Sequence, residues 1–146
     1  MFSFPGKGVV PISKQSGLAW SALTVADAAA GAQDIRNDIT NFQFATPRAV
    51  QDVTGIDKSA NERLLLLADF SITMNGVFNP AANMSHAVFS TIPSTSVNRA
   101  IAITVAAKSL SANVVLTDYP LTRATGGALT WAVPGSLADG QVPIWS

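Results

Sequence analysis

Few residues in this sequence could perform chemistry, and they do not form a known catalytic pattern. His86 is the only histidine, and it directly follows Ser85 in the chain. A serine, a histidine and one of the aspartates could form a nucleophilic triad, but no Gly-x-Ser-x-Gly turn is present to expose the serine. We therefore interpret His86 as a structural residue of a short helix, and we predict that the protein is not an enzyme.

The sequence also lacks the spacing of a metal or cofactor site. It contains no cysteine, which excludes thiolate ligands and disulfides. The aspartates are spread singly rather than in a calcium-binding loop. Gly6-Lys-Gly8 is too short for a phosphate loop, and the Asn83-Met-Ser85 sequon is not accompanied by a secretory signal. We predict no metal and no cofactor, and we expect synthesis in a reducing cytoplasm.

The composition points to a protein whose surface is covered by partners. The 146 residues suit one compact domain. Lys+Arg (9) and Asp+Glu (9) balance, which argues against a basic nucleic-acid-binding domain. Charged residues make up only 12% of the chain, about half the usual share. The most apolar stretch, 18–32, is shorter than the ~20 residues of a membrane span, so we predict self-assembly and no membrane insertion.

Alternating apolar and polar residues predict a mainly β fold. The clearest case is the run 68–78, in which every second residue is apolar. With Gly and Pro between the segments, the pattern favours an antiparallel β-sandwich or barrel with one or two short helices. The strands at 39–45 and 49–54 are expected to form a hairpin. The predicted strands are 20–25, 39–45, 49–54, 68–78, 97–107, 113–122 and 128–133.

Two short helices and two irregular ends complete the predicted organisation. Ser59 and Glu62 have the spacing of a capping box, which predicts a helix running into Leu64–Leu67. A second helix is expected at 83–92, capped by Asn83 or Ser85. We expect an extended N-terminal arm over residues 1–17 and a loop over residues 134–146. We divide the chain into an arm with a leading strand, 1–35, and a β domain with a C-terminal extension, 36–146.

Apolar side chains fall into two predicted sets. Those in alternating strands should face the core: Phe70, Ile72, Met74, Phe78, Ile101, Ile103, Val105, Leu129 and Trp131. Those in the irregular stretches 1–17 and 134–146 should contact other subunits, because burial of a large apolar side chain is favourable and is repeated in every copy. They are Phe2, Phe4, Val9, Val10, Ile12, Leu137, Val142, Ile144 and Trp145.

Three short motifs follow one another in the central segment: Asp52-Val-Thr-Gly55, a run ending Gly76-Val-Phe-Asn79, and Ser85-His-Ala-Val-Phe89. In these motifs the chain resembles the major tail tube proteins of long-tailed bacteriophages, in which a similar turn, strand and following helix recur. The runs 115–123 and 129–145 resemble the ends of tail proteins from actinobacterial phages. Together with the central segment, the resemblance covers residues 36–145.

This resemblance implies a β-sandwich that forms hexameric rings stacked into a tube, through which double-stranded DNA passes during ejection. It also implies a place in the virion tail, assembly in the host cytoplasm, and tape-measure, terminator and distal tail proteins as partners. The alternative function is capsid decoration or a small ligand-binding β-sandwich.

A channel for DNA should lack lysine and arginine, because each one paired to phosphate adds salt-dependent affinity. Two predicted strand faces meet this condition. One carries Asn41 and Gln43, and the other carries Asp69, Ser71, Thr73 and Asn75. We predict that the second face lines the channel. The alternative is that these faces pack against a helix or a neighbouring subunit.

Overall fold

A computed structural model describes residues 20–27 and 31–146, and these contain eleven strands and one short helix. The elements are β1 Ala22–Asp27, β2 Gly31–Asp34, β3 Ile39–Ala45, β4 Arg48–Asp52, β5 Arg63–Ala68, β6 Ser71–Val77, α1 Ser85–Phe89, β7 Arg99–Val105, β8 Lys108–Leu116, β9 Leu121–Arg123, β10 Leu129–Leu137 and β11 Ile144–Trp145. All strand pairs are antiparallel. The mainly β, antiparallel fold with a short helix is confirmed, whereas the predicted N-terminal arm lies outside the described residues.

Nine strands form one curled sheet. Its order is β2-β1-β7-β8-β10-β6-β3, with β11 beside β8 and β9 beside β10. Twisted sheets of this size curl on themselves, and here Trp20, just ahead of β1, meets Phe42 in β3 with ring centroids 4.7 Å apart. The Arg36 guanidinium donates to the Trp20 carbonyl at 2.6 Å and ties the same two regions. β1 and β2 therefore belong to the main sheet, and the predicted domain division at residue 35 stays a prediction.

The core lies inside the curl. It contains the predicted Phe70, Ile72, Met74, Ile101, Ile103 and Trp131, together with residues such as Leu23, Val88 and Val133. Phe78, Val105 and Leu129 are only half-buried, because each lies at or next to the end of a strand. A Cβ at Gly76 would collide with the Asp38 carbonyl oxygen and with the Trp131 ring, so this position needs a glycine.

The predicted hairpin between 39–45 and 49–54 is wrong. β3 pairs with β6, and β4 pairs with β5. Ala45 is opposite Ser71 and Arg48 is opposite Ala68, while the Asp69 N–H donates to the Pro47 carbonyl between them. The two pairs therefore form one long hairpin over residues 39–77. The half formed by β3 and β6 belongs to the main sheet. The half formed by β4 and β5, residues 48–68, is a separate two-stranded unit that we call the ribbon.

The predicted helix at 59–67 is also wrong, because Arg63–Ala68 is strand β5. Glu62 does not form a capping box with Ser59. Its carboxylate instead accepts the Gly55 N–H at 3.3 Å, and its own N–H donates to the Thr54 hydroxyl at 2.8 Å. These bonds close the tip of the ribbon and align the leucines of β5 with β4.

The second predicted helix is confirmed as α1, but neither Asn83 nor Ser85 caps it. Asn83 has φ 62°, outside the extended region that an N-cap adopts. The buried Asp38 carboxylate accepts the Ser85 N–H at 2.9 Å and takes the place of a cap. At the other end, Arg99 donates to the Val88 carbonyl at 2.6 Å.

The C-terminal stretch is more regular than predicted. β10 continues through Pro134 to Leu137, and β11 pairs with β8 at Leu110 and Ser111. Within the described part of the chain, no helix has the length and apolar character that a membrane crossing requires.

Candidate assembly surfaces

The ribbon exposes large apolar side chains on both of its faces. Val50 and Leu65 are partners on one face, and the adjacent pair Gln51 and Leu64 is on the other, because successive strand residues alternate. Leu64 is 55% exposed and Leu65 is 58% exposed. A two-stranded ribbon alone is marginally stable in water, so these exposed leucines make the ribbon a candidate contact surface.

The exposed apolar residues of the ribbon form a patch rather than isolated side chains. Two of them, Leu66 and Leu67, lie opposite Ala49 at a shift in the β4–β5 register. Patches of this kind mark interaction sites on soluble proteins. The full set is Val50, Val53, Ile56, Leu64, Leu65, Leu66 and Leu67.

The tip of the ribbon is ordered by its own polar groups. Asp52 accepts the Thr54 hydroxyl at 2.6 Å and the Thr54 N–H at 3.0 Å. These two hydrogen bonds lower the pKa of the Asp52 carboxyl from its ordinary value. The tip therefore presents Ile56 from a defined loop, with its side chain fully exposed.

The charges of the ribbon cancel. Its three cations match its three anions: Arg48, Lys58 and Arg63 against Asp52, Asp57 and Glu62. Lys58 pairs with Asp57 at 3.0 Å, and Arg63 lies opposite Asp52 in the ladder. Arg48 donates twice to the Leu66 carbonyl, at 2.9 and 2.7 Å. A ribbon without net charge suits an apolar protein partner better than a polyanion.

A second candidate surface is the outer face of β3, β6, β10 and β8. Cross-strand pairing joins the outward residues into continuous rows, such as Gln43, Thr73 and Pro134. None of the outward residues of these four strands is charged: Asn41, Gln43, Ala45, Ser71, Thr73, Asn75, Val77, Thr130, Ala132, Pro134, Ser136, Ser109, Ser111, Asn113 and Val115.

The two polar faces predicted from the sequence are one face. Asn41 lies opposite Asn75 and Gln43 lies opposite Thr73. Ser71 and Thr73 are exposed, and Asn75 is half-buried. Carboxylates occur only at the margins of this face, where Asp69 accepts the Phe70 N–H and Asp139 accepts the Asn113 amide. Hydrogen bonds from Asn113 and the Gln141 backbone lower the pKa of Asp139, so this margin stays ionised.

The predicted inter-subunit residues fall into three groups. Phe2, Phe4, Val9, Val10 and Ile12 lie outside the described residues. Leu137 belongs to β10 and is partly buried against the subunit's own core. Val142, Ile144 and Trp145 are exposed. The Trp145 ring lies 6.0 Å from that of Phe44, close to the base of the ribbon.

The serine and histidine considered for catalysis do not form a triad. Ser85 is fully buried at the start of α1. His86 lies against Phe78, and its Nδ1 is 3.2 Å from the Tyr119 hydroxyl. Burial, assisted by the Asp38 charge, raises the pKa of Tyr119. In the described part of the chain, no three His, Asp or Glu side chains are grouped to hold a metal ion.

The main surface that sequence reasoning missed is the ribbon. Its only signal was the run Leu64–Leu67, which reads as the start of a buried helix when a capping-box pattern precedes it. A run of four leucines without a polar residue is also the pattern of a strand covered on both faces.

No protein-family model matches the sequence, and no curated protein matches it. The fold does match solved structures. A chain from the virion of a native gene transfer agent particle has a TM-score of 0.70 and 14% identity, over 91% of this chain and 99% of that chain. A chain from the tail of an empty gene transfer agent particle, computed with helical refinement and C6 symmetry, has a TM-score of 0.63 and 16% identity, over 86% and 93%. The likeness establishes a common fold along nearly the whole of each chain.

Proposed function

We propose that this protein is a structural subunit of a phage-type tail tube, in which hexameric rings stack into a conduit for DNA. The observation that carries the proposal is the fold shared, over 86% of this chain, with a chain of a C6-symmetric tail. The protein has no catalytic role in this proposal and needs no cofactor.

The exposed ribbon supports self-assembly. Burying one large aliphatic side chain contributes about 1.5–3 kcal/mol, and every copy in a tube would repeat the contact. The ribbon carries no net charge, so its contact with a second copy brings no net like-charge repulsion. Val142, Ile144 and Trp145 supply a second exposed apolar patch for contacts between subunits.

The charge-free outer face is our candidate for the channel wall. Its members include the predicted Ser71, Thr73 and Asn75, joined by Asn41 and Gln43, and the predicted Asp69 lies at its margin. Hydroxyl and amide groups keep such a wall hydrated, and the absence of lysine and arginine from its rows avoids tight pairing to phosphate. Double-stranded DNA would then pass without a specific contact.

The remaining partners follow from this role. A tube of this kind needs a tape-measure protein inside it and terminator and distal tail proteins at its ends. The subunit would be made in the host cytoplasm and would end in the virion tail.

Negative-stain electron microscopy of the purified full-length protein tests the proposal. We expect six-fold rings or hollow tubes whose abundance rises with protein concentration. A protein that stays monodisperse and monomeric at high concentration would contradict the tail function and would favour a capsid-decorating or ligand-binding module.

A further inference from the structure

We propose that each ribbon is held between two neighbouring copies of this chain, one against each face. The inference rests on the proposed function and adds to it that three subunits meet at every ribbon.

The two faces of the ribbon expose their leucines to nearly the same extent. Leu64 and Leu65 point to opposite sides and are exposed to nearly the same extent, 55% and 58%. A strand with one wet face alternates apolar and polar residues, whereas a strand covered on both faces is a continuous apolar run. β5 has the second pattern, because Leu64–Leu67 contains no polar residue. One neighbour would leave half of these leucines in water.

The chemistry of the ribbon favours copies of this chain as the occupants. The ribbon is neutral, so a nucleic acid gains no counterion release from it. A lipid bilayer is disfavoured because the tip would enter first, with Asp57, Lys58 and Glu62 at its end, and charged side chains in a bilayer are costly. This chain itself offers an exposed C-terminal apolar patch, Val142, Ile144 and Trp145, which matches a neutral apolar ribbon.

The absence of cysteine from the chain allows each face to be probed separately. Leu64→Cys and Leu65→Cys, each labelled with an environment-sensitive fluorophore and mixed with a large excess of wild-type protein, report on one face each. We expect both labels to emit as in water in the free subunit. On tube formation, both should shift to shorter wavelength and become protected from iodide quenching.

Three other results would each overturn the inference. Protection of only one label would mean a one-sided contact. Protection of either label before assembly would mean that the subunit covers its own ribbon. A shift on adding anionic phospholipid vesicles to the free subunit would mean that a membrane is the occupant. If the wild type forms neither rings nor tubes, the proposed function itself fails, so the two failures are distinguishable.

Unlabelled variants give an independent check that needs no probe. Leu64→Ser and Leu65→Ser are a matched pair, since they remove the same side chain from opposite faces. Each should lower the tube yield at a given concentration by at least about tenfold, the consequence of losing one buried leucine, while the melting temperature of the free subunit stays unchanged. If one of the two assembles like the wild type, the ribbon has one partner and the inference is wrong.

Discussion

At the scale of single residues, two buried charged side chains hold the ends of α1. Asp38 accepts hydrogen bonds from the Ser85 N–H at 2.9 Å and from the Asn79 amide at 2.8 Å. Burial alone would raise the pKa of Asp38, but these bonds and one from Asn37 outweigh it, so the pKa lies below its ordinary value of 3.8. Arg99 does the same for the C-terminal end through the Val88 carbonyl.

Asp38→Asn should destabilise the free subunit by about 1.5–3 kcal/mol at neutral pH, the usual contribution of hydrogen bonds to a charged group. A carboxyl whose folded pKa is lowered stabilises the fold above its unfolded pKa and loses that contribution as the pH falls through the folded value. The difference from wild type should therefore be full down to about pH 4 and shrink below it. Urea unfolding between pH 7 and pH 3 measures this, with the exposed Asp57→Asn as control. A difference independent of pH would contradict the role of the ionised carboxyl.

Trp131→Ala should lower the free energy of unfolding by about 3–5 kcal/mol, as large-to-small core substitutions do. The indole is 2% exposed, packs on Phe89 at 4.9 Å between ring centroids and donates to the Val77 carbonyl at 3.0 Å. Trp131→Phe keeps most of the volume and should lose clearly less. A loss below about 1 kcal/mol for the alanine variant in urea unfolding would show that Trp131 is not a core residue.

These two residues show what local sequence reveals. Trp131 is predicted inward because Leu129, Trp131 and Val133 alternate with smaller or polar residues. The contact between Asp38 and Ser85 spans 47 positions, and no local pattern connects them. Capping rules search for a side chain next to the helix in the chain. Here the acceptor is Asp38, which directly precedes strand β3.

At the scale of elements, the ribbon shows where periodicity misleads. The run 68–78 alternates because β6 has one buried and one exposed face, so its strand was predictable. β5 has no alternation, because both of its faces carry leucine. Its partner strand is 11 positions away across the tip, in the pairing of Asp52 with Arg63, and the intervening Ser59 and Glu62 imitate a helix start. The described core of the subunit does not cover these leucines, so sequence rules that assume burial in the subunit's own core fail here.

The ribbon should be the first described element that trypsin cuts in the free subunit, because loosely covered tips open most readily. Cleavage after Lys58 should precede cleavage after Lys108 and Arg123, which lie at turns of the main sheet. Mass spectrometry of timed samples identifies the fragments. Assembly into tubes should slow the Lys58 cut by a large factor, and equal rates in free and assembled protein would argue against burial of the ribbon.

Deletion of residues 1–12 should leave a folded subunit that no longer polymerises. The reason is the apolar content of this segment, with Phe2, Phe4, Val9, Val10 and Ile12, whose burial would be repeated in every copy. Circular dichroism and thermal melting check the fold, and electron microscopy checks the tubes. Normal tubes from the truncated protein would show that the segment makes no essential contact.

At the scale of the whole molecule, charge is sorted by location. The ribbon carries six charged residues between 48 and 68, and the outward rows of β3, β6, β10 and β8 carry none. The sequence predicted rows of polar residues without lysine or arginine. The alternation of polar and apolar residues correctly indicated that these rows point away from the core. It could not predict that the rows at 41–43 and 71–75 lie side by side, because this depends on β3 pairing with β6 rather than with β4.

The double variant Ser71→Lys with Thr73→Lys tests the channel wall. If this face lines the channel, tubes should still form, but genome ejection should slow, most strongly at low salt where phosphate pairing is least screened. Ser71→Gln with Thr73→Gln is the matched control, with added bulk and no charge, and should eject normally. Loss of assembly in the lysine variant would identify the face as a packing surface instead.

The single long hairpin over residues 39–77 has a mechanical consequence. The ladder of β3 and β6 passes into the ladder of β4 and β5 through the Asp69–Pro47 bond, at 3.1 Å. A pull on the ribbon along its strands is therefore carried into β3 and β6, at one end of the strand order, and acts as shear between β6 and β10, which loads many hydrogen bonds at once instead of opening them one by one. If the ribbons join neighbouring subunits as proposed, a tube under tension would load its subunits in this shear direction.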